Sequence, residues 1–166
     1  MNFEREEILK IGEVEGKTLL DIGAGPLANI AARDFNCQVT NIDISERALR
    51  EAKAETSAEV RRKIKFEKED ATALSYPDNA FDIVVSYGTL HHVAAEKRED
   101  FIEEANRVAI EKVIIVELNP AFFEEIHSKD PYQVVNLSWL ERKLSGLGKV
   151  EKYRGEQRTV FVIRKY

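Results

Sequence analysis

The chain has 166 residues, of which 43% are hydrophobic and 33% charged, with a formal net charge of −5. That length suits a single domain with a full core, and the negative balance argues against a general nucleic-acid binder, because no positive field draws phosphates. No apolar stretch reaches the ~20 residues of a membrane helix, Met1–Lys10 holds no secretory-type apolar run, and the single Cys37 excludes an internal disulfide, so a cytoplasmic protein is expected.

Phe3, Ile8, Leu9 and Ile11 suit a short amphipathic helical arm ahead of Gly12. Thr18–Ile22 reads as a strand, and Leu27, Ile30, Ala31 and Phe35 form the apolar stripe of the helix after it. Val39–Asp43 is a second strand, followed by a helix with Ser45 as N-cap and Ala48, Leu49 and Ala52 inward. Ile64–Glu67 is a third strand. Asp70–Asn79, with Pro77, is too broken for a regular long helix, and Phe81–Ser86 is a strongly apolar fourth strand. A helix is expected over Ala95–Val108, and a fifth strand over Val113–Leu118, closed by Asn119-Pro120. Ser138 and Glu141 read as a capping box for a helix stopping at Gly146/Gly148. Val150–Arg154 and Thr159–Ile163 read as a terminal hairpin. Alternating strands and helices predict an α/β, Rossmann-like three-layer sandwich with a mostly parallel sheet and an antiparallel C-terminal edge, one domain over residues 1–166.

The first strand breaks at Gly23-Ala24-Gly25, and a helix starts at once. Glycines at such a turn let a ligand approach the backbone, and the helix start offers free N–H groups. Asp43, at the tip of the next strand, is placed to accept both hydroxyls of a ribose. These residues mark a nucleoside-cofactor site. Gly23 to Ala28 also satisfies G-x-G-x-x-A, which keeps a nicotinamide or flavin enzyme in play. Against it stands Asp21, a carboxylate that would repel a pyrophosphate but favour a cofactor carrying an ammonium and a sulfonium. Asp70 and Ala71, after the third strand, offer an acceptor and a backbone donor to an adenine edge. The chain is also short for an added substrate domain of the size that dehydrogenases carry.

LLDIGAG at 19–25, VTNIDIS at 39–45, KEDATALSYPDNAFDIVVSYGTLHHV at 68–93 and VIIVEL at 113–118 resemble a class I S-adenosylmethionine-dependent methyltransferase of the small-molecule, ubiquinone/menaquinone-biosynthesis-like (type 11) group. The resemblance covers almost the whole chain and implies a seven-stranded sheet with an antiparallel last strand. It also implies S-adenosylmethionine as cofactor, with Asp21, Gly23 and Gly25 at its methionine end and Asp43 on the ribose. Ile44 would then lie against adenine, Asp70 and Ala71 on the adenine edge, and Ser86 with Tyr87 near the methionine portion. The chain departs from the family turn at Leu27, where a third glycine is usual; a leucine there either crowds the cofactor or packs behind the turn.

Methyl transfer needs alignment and exclusion of water more than a catalytic triad. His91, His92 and Tyr87 are the candidates for catalytic work, the His-His pair matching the family's LHHV segment; otherwise one ring caps local backbone and the other is solvated. Two adjacent histidines without a third ligand make a poor metal site, so no metal is expected. Asn119 reads as a strand terminator. Phe122, Phe123, Tyr132 and Trp139 are either pocket wall or core. The expected partner is a small-molecule acceptor, with neither membrane nor nucleic acid. That acceptor lies open to solvent, or a second copy of the chain completes the pocket as a homodimer. A non-catalytic cofactor-binding module is the alternative from another class, with an NAD(P)-dependent oxidoreductase third.

Overall fold

The computed structural model describes residues 1–166. In chain order the elements are α1 (Arg5–Ile11), β1 (Thr18–Ile22), α2 (Leu27–Asp34), β2 (Gln38–Asp43), α3 (Glu46–Glu55), β3 (Ile64–Lys68), β4 (Phe81–Tyr87), α4 (Arg98–Val108), β5 (Ala109–Leu118), α5 (Pro120–His127), α6 (Leu137–Ser145), β6 (Gly148–Arg154) and β7 (Arg158–Lys165). The seven strands form one sheet in the order β3-β2-β1-β4-β5-β7-β6. β3 to β5 pair in parallel, and β7 runs antiparallel to both β5 and β6. This is the mostly parallel sheet with an antiparallel C-terminal strand expected from the sequence.

Strand periodicity sends alternate side chains to two cores. Leu19, Ile83, Val85, Ile114 and Val116 pack with α1 and α2 on one face. Leu20, Ile22, Val84, Val113 and Ile115 pack with α4 and α6 on the other. The strand order reverses between β1 and β4, where in such sheets a crevice opens at the carboxyl ends of the strands.

Three expectations are corrected. β5 begins at Ala109 rather than Val113, because Ala109 pairs with Phe81 across a bulge and its carbonyl accepts from the Lys165 ammonium. α6 is capped by Asn136, whose side-chain oxygen accepts from the Trp139 N–H at 2.9 Å, so Ser138 lies inside the helix. Asn119-Pro120 closes β5 and also opens α5, with Pro120 in the first turn, where its missing N–H costs nothing. The Asn119 side chain is spent on the fold: it donates to Gly155 O (2.8 Å) and accepts from Thr159 Oγ1 (2.6 Å).

Candidate functional site

β1 ends at Ile22, and Gly23 turns the chain with φ +101°, a conformation that side chains resist. A Cβ on Gly23 would also collide with Thr89 Oγ1, which donates to Ile22 O at 2.8 Å and fastens the turn to the β4 loop. A Cβ on Gly25 would meet nothing within 4 Å. The turn therefore presents bare backbone to the crevice.

Asp43 braces this turn from the end of β2. Its Oδ2 accepts from the Ala24 N–H and its Oδ1 from the Ser45 N–H, both at 2.9 Å. A carboxylate offers about four lone-pair directions, so two remain for a ligand. Two adjoining hollows meet here. The larger, about 510 Å³, is lined by Asp43, Ile44, Asp70, Ala71, Thr89, His92 and Tyr132. The smaller, about 150 Å³, is lined by Arg5, Asp21, Gly23, Gly25, Leu27, Tyr87 and His92. Ile44 leaves 66% of its surface exposed at the rim, an apolar face without a protein partner. Asp70 uses Oδ1 to accept from the Thr72 N–H and hydroxyl, which hold its carboxyl below the usual range. The Asp70 loop is pinned to α4 by Arg107, which donates to Tyr76 O (2.8 Å), and by Glu104, which accepts from the Leu74 N–H (2.8 Å).

Asp21 is 2% exposed. Burial pushes its carboxyl up to about 8, against the opposing pull of the Arg5 charge and of the Asn41 amide, which donates to Oδ2 at 3.0 Å. Leu27 packs into the core behind the turn and is also among the residues that line the smaller hollow. Tyr87 also faces that hollow, but its hydroxyl donates to Phe3 O at 3.0 Å and burial raises its pKa. This geometry makes it an anchor for the N-terminal arm rather than a base. Ser86 lines neither hollow: its Oγ is buried without a partner, on the face of the sheet opposite Tyr87.

The two histidines part company. His91 is buried, its Nδ1 3.0 Å from Glu117 Oε2 and its N–H donating to Oε1 at 3.1 Å. His92 stacks on Tyr132 (4.4 Å between centroids) and lines both hollows. Partial burial lowers the His92 pKa, and neighbouring His91 adds to the effect. Of the four aromatics, Tyr132 reaches the larger hollow; Phe123 lies behind His91, while Phe122 and Trp139 pack elsewhere. Arg5, Thr89, Glu117 and His127 belong to this neighbourhood and were not singled out from the sequence. Glu117 carried the one available signal, a lone acid ending an apolar strand.

Arg98, 5% exposed, stitches the region together. Its guanidinium donates to Val93 O (3.0 Å), Gln133 O (2.5 Å) and Val134 O (3.1 Å). Arg98→Met keeps the stem's packing but orphans four carbonyls, those of Val93, Gln133 and Val134 and the more distant one of His91 (3.4 Å). It is expected to cost about 3 kcal/mol of stability and to speed amide exchange over residues 131–135. Unchanged protection of those amides in hydrogen-exchange mass spectrometry would refute the assignment.

A family model described as a methyltransferase domain matches residues 20–117, more than half of the chain and every strand from β1 to β5. The chain belongs to the methyltransferase domain family. Its seven-stranded sheet with antiparallel C-terminal strands is the Rossmann-like methyltransferase fold. The chain is 31% identical over 110 residues to ajmaline N-methyltransferase of Rauvolfia serpentina, covering 64% of this chain and 37% of that one. It is 38% identical over 97 residues to 27-O-demethylrifamycin SV methyltransferase of Amycolatopsis mediterranei, covering 56% and 35%. The chain thus spans little more than a third of these curated relatives. The PH0226 protein of Pyrococcus horikoshii superposes with a TM-score of 0.79 at 19% identity, over 98% of this chain and 90% of that one, a likeness of fold. No helix of the methyltransferase is long and apolar enough to cross a membrane.

The site fits the family's cofactor on its own geometry. Gly25 leaves a cradle that a side chain would fill, Asp43 keeps free lone pairs, and Ile44 has an uncovered apolar face.

Proposed function

We propose that this methyltransferase domain moves the methyl group of S-adenosylmethionine to a small or medium-sized acceptor. The observation that carries the reading is the Asp43 carboxylate, which braces the Gly23–Gly25 turn while facing the junction of the two hollows. In this reading Asp43 accepts the ribose hydroxyls, and Ile44, Asp70 and Ala71 take the adenine. Asp21, Gly23 and Gly25 line the methionine end, with Arg5 supplying a cation for its carboxylate. Ser86 acts from beneath, as packing of the β4 tip.

Bound there, S-adenosylmethionine supplies an electrophilic methyl carbon on a cationic sulfur. The protein's contribution is alignment and exclusion of water. His92, neutral at pH 7 through its lowered pKa, is the ring at the cleft positioned to take a proton from an acceptor that must lose one. His91, held by Glu117, orients that segment. Tyr132 walls the acceptor side of the larger hollow. We read residues 1–166 as one domain with α1 as its arm, since Phe3 and Val162 share a core cluster. A cytoplasmic setting accords with a lone buried thiol, pushed up to about 11 by burial.

The test is thermal unfolding with S-adenosylmethionine, S-adenosylhomocysteine and nicotinamide dinucleotides in parallel. A ligand of the folded state stabilises it by ~2.7 kcal/mol at a hundredfold excess over its Kd. A rise in Tm with the adenosyl-sulfur pair alone is expected. No rise with that pair at millimolar concentration would sink the enzyme reading.

A further inference from the structure

We propose that His91, His92 and His127 form a binding site for a divalent transition-metal ion of the zinc class, on the acceptor side of the cofactor cleft. His91 and His92 stand in the short turn after β4, and His127 closes α5. Arg98 brings their segments together through His91 O and Gln133 O. One ring nitrogen from each histidine lies within 4.8 Å of the other two. Nitrogens on a tetrahedral zinc stand ~3.3 Å apart, so the rings must close by about 1.5 Å. His92 is exposed and His127 sits on the last turn of its helix, which leaves both free to adjust by side-chain rotation.

The surroundings are those of a ligand set rather than of a plain aromatic cluster. His91 Nδ1 faces Glu117 Oε2 at 3.0 Å, and His127 Nδ1 faces Asp130 Oδ2 at 2.5 Å. A ring that donates its Nδ1–H to a carboxylate has a fixed tautomer, with the Nε2 lone pair available and more basic, as in carboxylate–histidine–metal arrays. Glu117 is itself held by the backbone N–H groups of His91 and Leu118, each at 3.1 Å. The two carboxylates also balance a 2+ charge. Three protein ligands leave a fourth position open, as in catalytic zinc sites. Because His92 and Tyr132 line the larger hollow, that position faces the cleft. On the proposed methyltransferase reading, it would take an acceptor's oxygen or sulfur. With the metal bound His92 is a ligand instead of a proton acceptor: the O–H or S–H bond breaks at the metal, the electron pair stays on the metal-bound atom, and the proton leaves to solvent.

Chelator-treated, desalted protein titrated with Co²⁺ should show visible ligand-field bands saturating at one equivalent and displaced by Zn²⁺. His92→Ala, in the cleft, and His127→Ala, at the end of α5, should each weaken binding more than tenfold. Glu117→Gln should weaken it 10- to 100-fold. Absence of a one-equivalent site would overturn the proposal, as would an affinity that the two histidine variants leave unchanged. Calorimetry with S-adenosylmethionine on the same samples separates the two readings. Cofactor binding without metal sinks only the metal site, and metal binding without cofactor sinks only the cofactor reading.

Discussion

Replacing Asp43 with alanine is expected to weaken S-adenosylmethionine binding by at least about a hundredfold, from the loss of two charge-assisted hydrogen bonds worth ~1.5–3 kcal/mol each. The same change orphans the N–H groups of Ala24 and Ser45, which now donate to the two carboxylate oxygens. The Ala24 amide is part of the turn itself, so the lesion acts twice, on the ligand and on the backbone that receives it. Asp43→Asn is the sharper control. It is nearly isosteric, but its NH₂ group must face the N–H of either Ala24 or Ser45, so one backbone contact is lost whichever way it points. Both variants should remain folded, since Asp43 lies at a partly exposed strand end. Calorimetry decides: cofactor affinity unchanged in Asp43→Ala would remove the site assignment.

Asp21→Asn should separate stability from binding. The folded carboxyl is raised to about 8 from an ordinary 3.8. Between those values the folded state holds a proton that the unfolded state gives up, so the native contribution is complete below pH ~4 and fades as pH rises through 8. An amide has nothing to ionise and keeps an acceptor oxygen for the Asn41 N–H. The variant should therefore match the parent near pH 4 and exceed it in stability at pH 8, by an amount on the order of 5 kcal/mol. Cofactor binding should move the other way. A cationic sulfonium or ammonium beside Asp21 favours the carboxylate, so parent affinity should climb with pH up to about 8 and level off, with a proton released on binding at pH 7. The variant should bind more weakly and show no such climb. Tm against pH, with calorimetry in buffers of different ionisation enthalpy, reads both effects. A parent and variant with parallel pH profiles would dismiss the buried-carboxyl account.

Much of this was written locally in the chain. Thr18–Ile22 is a strand because a short β-branched and leucine-rich run carries it through Asp21 and a glycine stops it, and the structure keeps those limits. Ser45 caps α3 through its own hydroxyl, accepting from the Ala48 N–H at 3.1 Å. The two parallel halves and the antiparallel end follow from alternation of strands and helices, and from the short Gly155–Gln157 connection. Asp21, Gly23, Gly25, Asp43, Asp70 and Ala71 could be picked out because each closes a strand or sits one turn beyond it. In a parallel sheet that position is already a place in space.

What the chain order could not convey are partners far apart in sequence. Leu27 left two readings open, and packing against α1 and β1 decided that it lies behind the turn. Ser86 looked like a lining residue, but strand alternation points it to the opposite face of the sheet from Tyr87 and Asp21. Tyr87 carries a hydroxyl that only the returning N-terminal arm could occupy. His91 and His92, neighbours in sequence, acquire different roles because Glu117 on β5 reaches one of them and not the other. The strands, the turn and the acids at its rim were legible in the chain order, because each depends on residues within a turn or two of one another. The burial that raises Asp21, the carboxylate behind His91, and the meeting of His127 with the adjacent His91 and His92 came only with the folded chain, because desolvation and close charge depend on distance through space.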